Sequence, residues 1–282
     1  MTTELQRLIS ALPSRRRALG LLTTAGAMPL ALLACGGGQD SEAGTGTTQL
    51  NGTTDSDGSS SASSGSCSTI PSETAGPYPG DGTNSNSQGV ANALLLSGIV
   101  RRDIRTSVDT ASSTAAGVPL TITLTLVNTA SSCASLEGFA VYLWHATRDG
   151  EYSMYSSAVA SENYLRGVQV SDANGQVTFT TVFPGCYSGR WPHVHFEVYR
   201  SLDLATSGAN DLKTSQLALP ATACSQVYGV VAGYESSAEN FANISLASDN
   251  VFGNDSAVLQ LATVTGNATD GFTALLQVGV SA

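Results

Sequence analysis

An alternation of apolar and polar residues is the clearest pattern in the sequence. Between positions 120 and 126, four aliphatic residues alternate with three threonines: Leu120, Ile122, Leu124 and Leu126 against Thr121, Thr123 and Thr125. Successive side chains of a β-strand point to opposite faces, so this segment predicts a strand with one face in the core. Further strands are predicted over residues 94–100, 139–145, 176–181, 257–264 and 272–280.

Glycine-containing dipeptides predict the turns that connect these strands. They lie at Asn174-Gly175, Gly266-Asn267 and Asp270-Gly271. No window has the periodicity of a long amphipathic helix. The sequence therefore predicts an all-β domain whose strands pack as a β-sandwich.

A second alternating segment, from His193 to Tyr199, carries most of the candidate chemistry. On a strand, two sets of side chains would separate: His193, His195, Glu197 and Tyr199 on one face, and Val194, Phe196 and Val198 on the other. The Cα atoms of the two histidines would lie about 7 Å apart, which lets both imidazoles bind one metal at about 2.0–2.1 Å. Upstream, a turn at Pro184-Gly185 is expected to bring Tyr187 and Arg190 to the same place. The chain has three histidines, and two of them lie in this segment.

The amino-acid composition and the net charge limit the classes of protein to which the chain can belong. Charged residues make up 12% of the chain, and Thr, Ser, Ala, Gly and Val dominate, a mixture that favours a strand-rich extracytoplasmic protein. The formal charge is -10, and removal of residues 1–35, with four arginines and one glutamate, would make it -13. Such acidity argues against a nucleic-acid partner, whose phosphates require a basic face. No dinucleotide-binding or phosphate-binding loop is recognisable.

Residues 1–35 are expected to be an export signal. A basic segment (14–17) precedes an apolar segment (18–34), which ends in Leu32-Leu33-Ala34-Cys35. This resembles a bacterial twin-arginine signal joined to a lipobox, and the resemblance implies cleavage before Cys35 and a lipid on that residue. The alternative is an uncleaved transmembrane helix, but the apolar run of 17 residues contains Pro29 and is shorter than the about 20 residues that a bilayer requires. We therefore expect a periplasmic or cell-surface lipoprotein that meets the membrane only through its lipid.

Residues 36–66 have the composition of a disordered tether. They contain Gly, Ser, Thr and Asp, with no Lys, no Arg and no aromatic residue, too little apolar surface to offset the entropy of ordering. A flexible coil of this length would span roughly 30 Å. The folded domain is expected to occupy residues 67–282, and the sequence leaves its oligomeric state open.

Four cysteines remain after Cys35 is assigned to the lipid. In an exported protein they are expected to form disulfides, and four cysteines allow three pairings. We favour Cys67 with Cys133, which would tie the start of the domain to a strand. The second pair is then Cys186 with Cys224, which would brace the loop that carries Tyr187. Free buried thiols are the alternative.

Four segments resemble the intradiol ring-cleavage dioxygenases, the family of catechol and protocatechuate dioxygenases. They are TAGPYPGDG (74–82), VYLWHATRDGEYSMY (141–155), NYLRGVQVSDANGQVTF (163–179) and PGCYSGRWPHVH (184–195). The resemblance covers residues 67 to about 228, and its motifs follow the family order. It implies a β-sandwich enzyme that uses Fe(III) and O2 to cleave a small aromatic diol to a muconate-type dicarboxylate.

The resemblance also implies roles for individual residues. Tyr152, Tyr187, His193 and His195 correspond to the four iron ligands of the family. Tyr187 would also act as a general base, Arg190 would stabilise negative charge on the ring, and Gln216 would contact the substrate. The chemistry supports this set independently, because phenolate is a hard anionic donor that favours Fe(III) over Fe(II).

The remaining polar residues have simpler interpretations. His145 is interpreted as a core or supporting residue, and Tyr78 as a pocket wall or a turn residue. Asp149, Glu151 and Glu197 are interpreted as solvated or supporting carboxylates. Cys186 departs from the family pattern, which leaves the shape of the pocket wall open.

Three other functions remain possible at this point. A cupin or copper-zinc dismutase also carries His-x-His on a strand, but each needs further histidines downstream. An Fe(II) site of two histidines and Glu197 would leave Tyr152 and Tyr187 without a role. The non-enzyme alternative is a lipid-anchored β-sandwich that binds an extracellular ligand and keeps a non-catalytic metal site.

Overall fold

A computed structural model describes residues 67–282 of the chain. The expected export signal (1–35) and tether (36–66) lie outside the described residues. Within the described part, no helix is long and apolar enough to cross a membrane.

β-Strands form most of the described domain. Their bounds are β1 (Asp81–Asn86), β2 (Gly89–Asn92), β3 (Pro119–Asn128), β4 (Ala134–Ser135), β5 (Ala140–Trp144), β6 (Arg166–Val170), β7 (Gln176–Val182), β8 (His193–Tyr199), β9 (Lys213–Ala218), β10 (Thr263–Asn267) and β11 (Gly271–Val280). Two α-helices, α1 (Ala221–Tyr228) and α2 (Glu235–Ala242), follow β9.

Two sheets and a separate hairpin organise these strands. One sheet has the order β10-β11-β3-β4, with β7 also paired to β3, and the other has the order β6-β5-β8-β9. β1 and β2 form the hairpin. The largest apolar cluster, here called the main core, joins Leu120, Ile122 and Leu124 of the first sheet to Val194 and Phe196 of the second. The predicted all-β sandwich is therefore confirmed.

The alternation of residues 120–126 gives β3 its position in the sandwich. The aliphatic side chains of Leu120, Ile122, Leu124 and Leu126 are at most 1% exposed, whereas the intervening threonines are half-buried. β3 pairs in parallel with β11 and antiparallel with β7. The predictions over 139–145, 176–181 and 272–280 are confirmed as β5, β7 and β11.

Two of the predicted strands are wrong. In segment 94–100, Asn92 caps a short 3-10 helix, Ala93–Leu95, and Gly98 has φ +84°, a left-handed conformation that a strand does not use. In segment 257–264, Ser256 and Ala257 have φ near +57°, so the chain turns there and β10 begins only at Thr263.

The turn predictions hold at two of the three positions. The turns at Asn174-Gly175 and before Gly271 are present. Gly266-Asn267 is not a turn, because both residues lie in β10 and the turn follows them. Sequence patterns did not predict α1 and α2, which are eight residues each and too short to show a sustained helical period.

One of the two favoured disulfides is present. Cys67 is bonded to Cys133, with their Cα atoms 5.7 Å apart. The pairing of Cys186 with Cys224 is wrong, because both are buried free thiols. Cys186 Sγ donates instead to the backbone carbonyl of Arg190 at 3.5 Å, and burial raises the pKa of this thiol to about 12. Cys186 also packs in the main core, so it does not form the pocket wall.

Candidate metal and active site

β8 places the two histidines of the sequence prediction. The strand has the predicted bounds, His193–Tyr199, and its residues Val194, Phe196 and Val198 face the main core. His193 and His195 point the other way and are each 3% exposed. β5 lies beside β8, with Trp144 opposite His195. The predicted division of this strand into two faces is therefore confirmed.

Two loops bring phenol groups to these histidines. Tyr152 lies in the loop after β5, and Tyr187 lies between β7 and β8. Tyr187 Oη is 3.1 Å from His193 Nε2 and 3.4 Å from Tyr152 Oη. The Nε2 atoms of His193 and His195 are 3.1 Å apart. The structure thus brings together the polar atoms of all four residues that the sequence selected as metal ligands.

The separations of these four atoms fit a common metal ion. Two ligands bound to one ion at about 2.0–2.1 Å, with a bond angle between about 90° and 110°, lie about 2.9–3.4 Å apart. His193 Nδ1 donates to the backbone carbonyl of Trp191 at 2.5 Å, which leaves the lone pair on Nε2. His195 Nδ1 is buried without a hydrogen-bond partner. The donor set therefore has the geometry and the lone pairs of a binding site for a hard cation.

Burial determines the protonation state of the four candidate ligands. It lowers the pKa of His193 to about 3 and lowers that of His195 well below its ordinary value. It raises the pKa of both Tyr152 and Tyr187. Without a cation, the imidazoles are neutral and the phenols are protonated. A bound cation reverses the cost of ionising the phenols, so metal binding at this site would release protons.

His195 is held by contacts on both sides of its ring. The Trp144 indole stacks on the imidazole, with ring centroids 4.9 Å apart and an interplanar angle of 6°. The backbone of Gly76 approaches the ring so closely that a Cβ there would lie 3.5 Å from His195 Cε1. Gly76 also has φ +72°, which favours glycine. Sequence reasoning missed Trp144 and Gly76, although both lie in motifs that it quoted.

Arg190 lies beside the candidate centre and is fixed by three partners. Its Nε donates to Asp249 at 2.9 Å, its Nη2 donates to the Gln216 side chain at 2.6 Å, and its Nη1 is 3.3 Å from His193 Nε2. Gln216 in turn donates to the backbone carbonyl of Thr74 at 2.8 Å. The structure therefore places the predicted Arg190 and Gln216 together at the site.

Asp249 was not found from the sequence. Its carboxylate accepts from the backbone N–H groups of Trp191, Val251 and Phe252 as well as from Arg190. Burial alone would raise the pKa of Asp249, but these hydrogen bonds and the guanidinium charge hold it below its ordinary value. Asp249 follows the last matching motif by more than fifty residues, so no local pattern marks it.

Arg166 connects two loops that form the site, and sequence reasoning missed it as well. The guanidinium is buried and makes five hydrogen bonds: to the carbonyls of Tyr78, Pro79 and Ser153, the Ser153 hydroxyl and the Tyr142 hydroxyl. The ion pairs of residues 67–282 do not include it. Arg166 thus ties the loop that carries Tyr78 to the residue after Tyr152.

Two other candidate residues, His145 and Tyr78, have clear places in the structure. Both ring nitrogens of His145 are engaged, 2.7 Å from Ala146 O and from Thr181 Oγ1, which confirms its interpretation as a core residue. Tyr78 forms a pocket wall, its ring 5.0 Å from that of Tyr152.

Glu197 is neither solvated nor aimed at the histidines. It is 1% exposed, it accepts from the Tyr199 hydroxyl at 2.5 Å, and burial raises its pKa to about 9. A protonated carboxyl with that partner is a poor metal ligand, so the alternative of two histidines and Glu197 is not supported. Within residues 67–282, no group of three or more His, Cys, Asp or Glu could hold a metal. The candidate centre therefore depends on its phenol oxygens.

A cavity opens onto the candidate centre from solvent. Its volume is about 660 Å³, and Tyr78, Tyr152, Tyr187 and Arg190 are among its walls. A much smaller space of about 10 Å³ is lined by Trp144, His195 and the same tyrosines. Two of the four candidate ligands, Tyr152 and Tyr187, thus line a cavity that has room for an organic ligand.

Comparison with known proteins shows which proteins the described domain resembles. Residues 101–210 match the family model described as dioxygenase. The fold resembles the intradiol ring-cleavage dioxygenase from Tetranychus urticae with a TM-score of 0.56 and 22% identity, over 76% of this chain and 94% of that chain. The dioxygenase domain of a dioxygenase carbohydrate-binding protein fusion from Streptomyces sp. SirexAA-E gives a TM-score of 0.46 and 21% identity, over 76% and 98% of the two chains. The comparison with curated protein sequences found no match.

Residues 101–210 thus match the dioxygenase family, and the fold is that of an intradiol ring-cleavage dioxygenase. These two findings confirm the resemblance drawn from the sequence motifs.

Proposed function

We propose that this protein is an Fe(III)-dependent intradiol dioxygenase that cleaves a catechol-type diol with O2 and yields a muconate-type dicarboxylate. The observation that carries the proposal is the convergence of Tyr152, Tyr187, His193 and His195, with 3.1–3.4 Å between successive donor atoms, beside a cavity that the two tyrosines line. Two phenolates and two imidazoles suit Fe(III) because hard anionic oxygen donors stabilise the higher charge. When bound there, Fe(III) would draw electron density from the diol and make its ring reactive toward O2.

Tyr187 is the residue best placed to take a proton from the substrate. Its side chain is only half-buried and lines the cavity, and Ser188 and Gly189 after it are exposed. Tyr152, by contrast, is 2% exposed, and its ring packs against that of Tyr78. The Tyr187 phenolate can therefore leave the donor set and accept a hydroxyl proton of the diol, a step of general base catalysis.

Arg190 would stabilise negative charge on the substrate ring. Its guanidinium lines the cavity next to Tyr187 and is oriented by Asp249 and Gln216. Because it is already oriented in a partly buried site, it can stabilise developing charge without reorganisation. Tyr78 provides an aromatic wall of the same cavity, against which a planar ring can pack.

Spectroscopy and oxygen uptake test this proposal together. Purified protein loaded with iron is expected to be reddish from tyrosinate-to-iron charge transfer, to consume O2 with catechol and to form a dicarboxylate. His195→Ala is expected to lose the iron. A colourless iron-loaded protein that consumes no O2 would instead favour the non-catalytic binding protein.

We also propose that the protein is exported and lipid-anchored at Cys35. Support comes only from the sequence of residues 1–35, in which Arg15 and Arg16 precede an apolar run and Cys35. Replacement of both arginines by lysine is expected to leave precursor in the cytoplasm, and Cys35→Ala to abolish lipid labelling. Unchanged labelling of the Cys35→Ala protein would contradict the proposal.

A further inference from the structure

The walls of the 660 Å³ cavity carry two charged side chains, Arg190 and Glu151. The guanidinium of Arg190 is held by Asp249 and Gln216 and is assigned above to the substrate ring. Apart from Arg190, the described walls offer an anionic substituent no cationic partner. The charge that remains to act on such a substituent is that of Glu151.

The Glu151 carboxylate has no partner that would neutralise it. Among residues 67–282, it makes no ion pair and its side chain accepts no hydrogen bond, and the neighbouring Arg148 pairs with Asp149 instead. The backbone of Glu151 is fixed at the turn by two hydrogen bonds with Thr147, at 2.7 and 3.1 Å. Glu151, which also lines a neighbouring cavity of about 400 Å³, is thus an unpaired acidic residue held in the wall next to Tyr152 in the chain.

The cavity is also much larger than one aromatic ring. Pockets of about 300–1,000 Å³ enclose drug-sized ligands, and this cavity of about 660 Å³ is lined by Glu151, Asn250 and Val251 as well as by Tyr152 and Tyr187. A ring whose hydroxyls reach Tyr187 leaves most of this space empty. A ring substituent would therefore occupy the part of the cavity that Glu151 lines.

We propose that the site selects catechols with an extended uncharged or cationic substituent, and that Glu151 disfavours catechols whose substituent bears a carboxylate. This inference rests on the proposed function of the same site. It assigns Glu151 as a specificity-determining residue, acting by charge on the substituent and not on the reacting ring.

Three catechols of similar size test the proposal: 4-propylcatechol, 3-(3,4-dihydroxyphenyl)propionate and 2-(3,4-dihydroxyphenyl)ethylamine, which are neutral, anionic and cationic. The readout is kcat/KM from O2 uptake by the iron-loaded protein. We expect the cation to exceed the anion by roughly tenfold, because water in the open cavity screens most of the interaction between the two charges. Raising the ionic strength should reduce the difference. Unsubstituted catechol should be no better than 4-propylcatechol.

Variants isolate the charge of Glu151. Glu151→Gln should bring the cation-to-anion ratio close to one, and Glu151→Lys should invert it. Changes that affect all substrates equally cancel in this ratio. Glu137→Gln is the matched control, because Glu137 is exposed and precedes the far end of β5. That variant should keep the wild-type ratio.

The outcomes separate this inference from the proposed function. Turnover of all three catechols with a ratio that Glu151→Gln does not change would overturn the specificity proposal and leave the dioxygenase proposal standing. A strong preference for unsubstituted catechol would overturn the proposed use of the outer cavity. No turnover and no spectral change with any catechol would overturn both proposals.

Discussion

The indole of Trp144 lies flat against the imidazole of His195, with ring centroids 4.9 Å apart and an interplanar angle of 6°. The two residues are directly opposite each other on β5 and β8. Because of this register, the Trp144 indole packs on the His195 imidazole and fixes the orientation of this candidate iron ligand.

Removal of this indole should weaken both the metal site and the domain. Trp144→Ala is expected to destabilise the protein by about 3–5 kcal/mol, as for other large buried aromatic side chains, and to lower the iron content. Trp144→Phe keeps an aromatic ring on His195 and should retain more iron. Chemical denaturation and metal analysis of both variants check this. Equal iron content in all three proteins would contradict the role of Trp144.

Loss of the Tyr187 hydroxyl should affect both colour and turnover. Tyr187→Phe removes one phenolate donor and the proposed proton acceptor, so the visible band should shift or weaken. Turnover should fall by about 10²–10⁴-fold, the usual contribution of a general base. Tyr164→Phe is a suitable control, because Tyr164 packs in a separate apolar cluster. An unchanged spectrum and rate would remove Tyr187 from the donor set.

Acidification should destabilise the metal-free protein through its buried histidines. Burial lowers the pKa of His145 to about 4 and that of His193 to about 3. Between about pH 6.5 and these values the unfolded chain binds protons that the folded chain does not. The stabilising contribution is therefore complete above about pH 6.5 and is lost as the pH falls through this window.

Denaturant unfolding at several pH values checks this dependence. At about 1.4 kcal/mol per pKa unit, His145 alone should contribute about 3 kcal/mol. His145→Gln should therefore unfold with a shallower pH dependence than the wild-type protein. An identical slope in the two proteins would show that His145 is not kept neutral by the fold.

The sequence predicted those parts of the fold and site that local patterns encode. The alternation at 120–126 and at 193–199 reflects burial of one strand face, and the tyrosines and histidines lie in short motifs. Asp249 could not be predicted, because its role depends on a loop that returns to Arg190 from 59 residues away. Segment 94–100 was misread because hydrophobic content does not reveal the cap at Asn92 or the left-handed Gly98.

Cys186 and Cys224 show a related limit of sequence reasoning. An oxidising compartment favours disulfides in general, but the geometry of each pair decides which bonds form. Cys186 lies in the core with its thiol directed at the Arg190 carbonyl. Cysteine count and expected compartment therefore predicted one pair correctly and the other wrongly.

Arg166 offers the sharpest test of how the two loops of the site are held. Arg166→Met would keep much of the apolar stem but leave the carbonyls of Tyr78 and Ser153 without their buried donor, so we expect a loss of about 3–5 kcal/mol, typical of a broken buried polar network. Because the same guanidinium positions the residue after Tyr152, the charge-transfer band should also shift. Arg166→Lys keeps the positive charge and fewer donors, and it should restore part of the stability but not the wild-type band. A destabilised Arg166→Met protein with an unchanged band would show that Arg166 supports the fold without orienting Tyr152.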